Sequence, residues 1–158
     1  MSWLAVMLAA FACFVLVFLI KQRQFSHPAV QFPYALKNEP FDEHERQLLD
    51  MLQQTVGERF LVLAKVRVLD VLDITALPRR SAWYHANNQV SGRRFDFLLI
   101  ERGRLRPACA VTLDRGSDAR DDFLAELCQR IGLPHVSLTP QQAQAYAVVR
   151  ESIERALT

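Results

Sequence analysis

The chain has 158 residues, with nineteen Lys and Arg against seventeen Asp and Glu and a formal net charge of +2. That leaves room for one domain with an appendage and excludes large multidomain enzymes and non-specific polycations. Its 51% hydrophobic content is concentrated at the start, where nineteen of the first twenty residues are apolar, and three cysteines cannot all pair within one chain, so a reducing compartment is favoured over a disulfide framework.

Trp3 to Ile20 carries no charge, Pro or Gly. Eighteen helical residues span about 27 Å, close to the hydrocarbon thickness of a bilayer. A cleaved signal would begin with a charge and end in a small-x-small site. Here Ser2 precedes the run and Phe18-Leu19-Ile20-Lys21 follows it, so residues 1–20 read as an uncleaved anchor. Lys21 and Arg23 follow the span and no Lys or Arg precedes it, which places the C-terminal domain in the cytoplasm by the positive-inside rule. Ala5, Ala9, Ala12 and Cys13 form a stripe of small residues that would let a second helix approach. Residues 21–40 contain three prolines and no period, and read as an extended linker.

Residues 41–158 form the soluble domain. Asp42 and Glu45 fit a capping box ahead of Leu48, Leu49, Leu52 and Val56 at helical spacing, with Gly57 closing the helix. Phe60, Val62, Ala64, Val66 and Val68 alternate, which predicts a strand with those five on one face. Ser81 to Val90 predicts a helix ending near Gly92. Phe95–Ile100 and Pro107–Leu113 read as a hairpin with a glycine turn in Glu101-Arg102-Gly103-Arg104. Ser117 or Asp118 is expected to cap a helix bearing Phe123, Leu124, Leu127, Cys128 and Ile131, stopped by Gly132 and Pro134. Val136–Leu138 predicts a short strand. Thr139-Pro140-Gln141-Gln142 then predicts the cap of a last helix with Tyr146, Val149, Ile153 and Leu157 inward. The order α-β-α-β-β-α-β-α suits a three-layer α/β core with a mixed sheet flanked by helices.

The five glycines make neither a phosphate loop nor a dinucleotide fingerprint, and no His or Cys spacing matches a zinc site. Cys109 and Cys128 fall on apolar faces and read as small core residues. What remains is carboxylates on the predicted sheet. Asp96 interrupts Arg94-Phe95-Asp96-Phe97-Leu98-Leu99, and Asp114 ends Ala110-Val111-Thr112-Leu113-Asp114. A hairpin can bring them to one sheet end, where two acids can hold Mg²⁺. The alternative is that Asp96 pairs with an arginine and Asp114 starts a loop. Residues 59–106 hold ten Lys/Arg and four acids, with Trp83 and Tyr84 among them. Such a face can track a phosphate backbone, or it can face an anionic membrane leaflet.

Phe95-Asp96-Phe97-Leu98-Leu99, Ala110-Val111-Thr112-Leu113-Asp114, Arg120-Asp121-Asp122-Phe123, Gly132-Leu133-Pro134 and Lys65 to Val71 together resemble the bacterial domain-of-unknown-function 2726 family. That family is commonly grouped with the restriction-endonuclease-like PD-(D/E)xK superfamily and is similar to the very-short-patch repair nucleases. The resemblance covers roughly residues 41–140. It implies a restriction-endonuclease-like core behind a bacterial inner-membrane anchor, with Asp96 and Asp114 as catalytic and metal residues. Thr112 stands where a metal-binding Glu is expected, and the following loop, Arg115-Gly116-Ser117-Asp118, lacks the expected histidine. Thr112 removes a carboxylate and Arg115 repels a cation, so the expectation is a catalytically degenerate site with no cofactor, or Mg²⁺ if active. Three functions remain open. The first is a nucleic-acid- or partner-binding module using Lys65, Arg67, Arg93 and Arg94. The second is an active Mg²⁺-dependent nuclease, and the third a protein-interaction domain.

Overall fold

The computed structural model describes residues 2–25, 34–116 and 119–158, which fall into two units, 1–40 and 41–158. In the first, α1 spans Ser2–Phe25, and its segment Trp3–Arg23 is long and apolar enough to cross a membrane. Helix therefore continues through residues 21–25, which the sequence pattern assigned to the linker. With no Pro or Gly until Pro28, nothing local stops it at Ile20. Residues 34–40 are exposed and lack regular structure, and 26–33 lie outside the described residues.

The second unit runs α2 (Glu43–Val56), β1 (Phe60–Arg67), a 3-10 turn (Val68–Asp70), α3 (Ser81–Val90), β2 (Arg94–Glu101), β3 (Arg106–Leu113), α4 (Ala119–Ile131), β4 (His135–Leu138), a second 3-10 turn (Gln142–Gln144) and α5 (Tyr146–Leu157). Sheet order is β1-β2-β3-β4; β1, β2 and β3 are antiparallel, and β4 joins β3 in parallel. A parallel neighbour needs a crossover, and α4 supplies it. Helix α2 begins where the sequence predicts: Glu45 N donates to Asp42 Oδ1 at 2.8 Å, and Asp42 N donates to Glu45 Oε2 at 3.0 Å. The cap expected at Ser117 or Asp118 lies outside the described residues.

Two apolar clusters cover opposite faces of the sheet. Leu48, Leu52 and Val56 of α2 and Val149 and Ile153 of α5 pack with Phe97, Leu99, Val111 and Leu113. Leu124 and Cys128 of α4 and Val90 of α3 pack with Phe95, Leu98 and Ala110. The five alternating residues from Phe60 to Val68 do not share one face. Val62 and Ala64 pack against the first cluster, whereas Val66 packs against the second and Val68 belongs to it. The switch occurs at Lys65, whose φ of +55° is rare for a residue with a Cβ and rolls the strand over. Phe95 and Phe97 switch sides across from it, while pairing keeps one register, Ala64 with Phe97 and Val66 with Phe95.

The structure departs from two further local expectations. Thr139 and Gln142 cap each other reciprocally, Thr139 N to Gln142 Oε1 at 3.0 Å and Gln142 N to Thr139 Oγ1 at 3.3 Å. They do so at a 3-10 turn, and α5 starts only at Tyr146, which rotates Tyr146 outward to 40% exposure. In the β2–β3 hairpin the left-handed residue is Leu105, with φ +53°, rather than Gly103. A left-handed L-residue costs about 1–2 kcal/mol, and asparagine tolerates that region better. Leu105 is 66% exposed and has no packing to lose. Leu105→Asn is therefore expected to raise stability by about 0.5–1 kcal/mol, read as a rise in urea midpoint with unchanged slope.

Candidate functional site

One end of the sheet opens into a cleft of about 410 Å³ lined by residues of α2, β1, β2, β3 and the loops beside them. Its anchor is Glu45. Three residues before Leu48, Glu45 shares the inward face of α2 and is 6% exposed. Its carboxylate receives Lys65 Nζ at 2.8 Å and an Arg115 guanidinium nitrogen at 3.0 Å, and the same Arg115 nitrogen reaches Asp42 at 2.8 Å. Burial pushes the Glu45 carboxyl up, but the hydrogen bonds from Lys65, the Asp42 backbone and Arg115 outweigh it and hold it below its ordinary 4.5. Asp42 is held low chiefly by the Glu45 N–H, with Arg115 adding to it. Lys65 also lies over the Phe41 ring, 5.0 Å from its centroid.

The rolled-over stretch of β1 and β2 brings Lys65 and Asp96 to this cleft. Asp96 Oδ2 accepts the Leu113 N–H at 2.7 Å. Regular β2–β3 pairing stops at Phe97 and Val111, so this carboxylate stands in for a strand carbonyl and satisfies a buried backbone donor. Thr112, 2% exposed, has its hydroxyl 3.0 Å from His135 Nε2. Asp114 is not part of the cleft lining; its Oδ1 accepts from Gly116 N at 2.8 Å in a two-residue turn.

This donor set does not fit a resident Mg²⁺. Such an ion wants several free oxygens in near-octahedral array. Here one Asp96 oxygen is bonded to backbone, Glu45 is tied to two cations, and Thr112 is neutral. Among the described residues, no group of three or more His, Cys, Asp or Glu could hold a metal. Cys109 and Cys128 offer no nucleophile, because burial pushes their thiols up to about 12 and about 11.

Arg93, Arg94 and Arg115 join Lys65 in the cleft lining, four cations against the carboxylates of Glu45 and Asp96. Arg93 follows Gly92, which ends α3 with φ +78° and turns the chain into β2. Its Nε donates to Gln89 O at 2.6 Å and its guanidinium stacks 4.4 Å from the Phe123 ring centroid. Arg94 is exposed, and its direct partner across the ladder is another exposed arginine, Arg67. Arg67 stands outside the lining but beside it through that pairing. The structure thus gathers Lys65, Arg93, Arg94, Asp96 and Thr112. It adds Glu45 and Arg115, which sequence reasoning missed as site residues. The signal for Glu45 was available: Glu45, Leu48, Leu52 and Val56 form one helical stripe, and a charge on an apolar stripe is a buried charge.

Asp96→Ala should leave the Leu113 N–H unpaired and cost about 1–3 kcal/mol, whereas Asp96→Asn keeps an acceptor and should recover most of it; denaturant titration separates the two. Equal losses in both would show that charge, not the backbone bond, is what Asp96 supplies. Because Glu45 and Asp42 titrate lower folded than unfolded, the stability they contribute is full above their ordinary range and drains as pH falls through the lowered values. Melting temperature should therefore drop on acidification below 4.5. Glu45→Gln should cost about 2 kcal/mol at neutral pH and flatten that acid limb.

No curated protein and no solved structure matches the chain. A family described as protein of unknown function (DUF2726) matches residues 37–157, from the described stretch before α2 almost to the end of α5. With that match spanning the whole sheet, both helical layers and the cleft, the chain belongs to the DUF2726 family.

Proposed function

We propose that residues 41–158 are a nucleic-acid-binding module on a restriction-endonuclease-like scaffold, held at the bacterial inner membrane by α1, that binds a phosphate backbone without hydrolysing it. The observation that carries this reading is the Arg67–Arg94 pair. Like charges directly opposite on neighbouring strands destabilise a sheet. Neither arginine has an acidic partner among the described residues. A phosphate lying between them offsets that repulsion, and Lys65, Arg93 and Arg115 continue the positive surface into the cleft. The engaged carboxylates support binding over metal-assisted cleavage. Lys21 and Arg23 after the apolar span support a cytoplasmic domain, where nucleic acid is available.

The test exploits the cost of the arginine pair. Full-length protein in detergent, titrated with a labelled oligonucleotide at low salt, is expected to bind with an affinity that falls steeply as salt rises. Arg67→Ala with Arg94→Ala should weaken binding about tenfold while raising stability by about 0.5 kcal/mol. Loss of both properties together would mean the arginines are structural. Failure to bind any nucleic acid at low salt would favour a protein-interaction domain. Mg²⁺-dependent cleavage abolished by Asp96→Ala would replace the reading with a nuclease.

A further inference from the structure

Between Asp73 and Asp96 lie twenty-two residues without an Asp or Glu, and four of them are arginines. Arg93 and Arg94 serve the cleft. Arg79 and Arg80 do not line it; they stand exposed at the start of α3, and neither has an ion pair among the described residues. Arg79 is held in the left-handed region with φ +63°. Just before it Leu77 is 72% exposed, and one turn after Arg80 Tyr84 is 51% exposed. Trp83 is half-buried and meets Tyr84 edge-on, centroids 5.2 Å apart at 85°. Helix α3 turns Trp83, Ala86 and Val90 inward, so Arg80 and Tyr84 share its outer side.

We propose that Leu77–Tyr84 is a docking surface for a lipid bilayer carrying anionic headgroups. An aliphatic side chain, an amphipathic ring and two guanidiniums with no ion pair among the described residues, all within eight residues, match the layers of a membrane interface: acyl boundary, headgroup level and phosphate. A nucleic-acid strand fits less well. Strand-binding surfaces use ring faces, and the most exposed apolar group of this patch is the aliphatic Leu77. The chain itself brings the partner close. The fifteen residues between Phe25 and Phe41 can extend at most ~50 Å. A domain attached to a spanning helix by so short a connection meets the bilayer at high effective concentration, so a weak patch suffices. This surface is separate from the cleft and stands whether or not the cleft binds nucleic acid.

The full chain carrying Trp3→Phe retains Trp83 as its one tryptophan. Reconstituted in nanodiscs with brominated acyl chains, it reports contact between Trp83 and lipid as fluorescence quenching. Discs of phosphatidylcholine mixed with phosphatidylglycerol are expected to quench about threefold more than phosphatidylcholine alone. Arg79→Glu with Arg80→Glu should abolish the difference, Arg79→Lys with Arg80→Lys should preserve it, and Leu77→Asn should reduce it. Preservation in the lysine pair shows that the glutamate pair acts through charge rather than misfolding. Equal quenching in both discs, or quenching indifferent to the glutamate pair, overturns the proposal. So does a glutamate pair that weakens oligonucleotide binding while leaving the quenching unchanged, since that assigns the patch to nucleic acid.

Discussion

The Glu45 carboxylate sits on the apolar side of a helix, in a position where an unpaired charge would be untenable. Desolvating it is costly, and only the surrounding donors make it acceptable: the Asp42 N–H, the Lys65 ammonium and the Arg115 guanidinium. Each donor comes from a different part of the chain, so satisfying one charge fixes the helix start, the middle of β1 and the loop after β3 against one another. Lys65, which pairs with Glu45, has a left-handed backbone, and at that residue β1 passes from one apolar cluster to the other. The cleft is the geometric result. Breaking the pair would expose the conformational cost at Lys65 as well as the bare carboxylate.

The charges around the cleft divide by role. The acids face inward and are consumed by structure, Glu45 by its cations and Asp96 by the end of the β2–β3 ladder. The bases are more exposed, and Arg67 and Arg94 repel each other across two strands. The fold therefore satisfies its carboxylates internally and leaves Arg67 and Arg94 exposed on its surface. Thr112 fits the same division: its hydroxyl is buried and bonded to His135.

The elements were legible because their signals are local. The capping box at Asp42 and Glu45, the apolar run of β2 and the glycine after α3 each act over a few residues. The roll at Lys65 was not legible, since strict alternation from Phe60 to Val68 gives no hint that a non-glycine residue will take φ +55°. That conformation accompanies an ion pair to Glu45 in another element. Arg67 and Arg94 were both recognisable as basic, but their direct opposition depends on strand register, which depends on the whole sheet. The backbone role of Asp96 is likewise invisible in sequence, because its partner is an amide seventeen residues away that every residue type except proline possesses.

Among the described residues the sheet is open on both sides, with β1 at one margin and the four-residue β4 at the other. An unpaired strand margin is a template on which another chain can add. β1 is the longer margin, eight residues with Leu63 exposed. Its left-handed Lys65 breaks the straight run of donors and acceptors at mid-strand and places a charge there. The same residue that lines the cleft therefore makes β1 a poor template for a straight added strand.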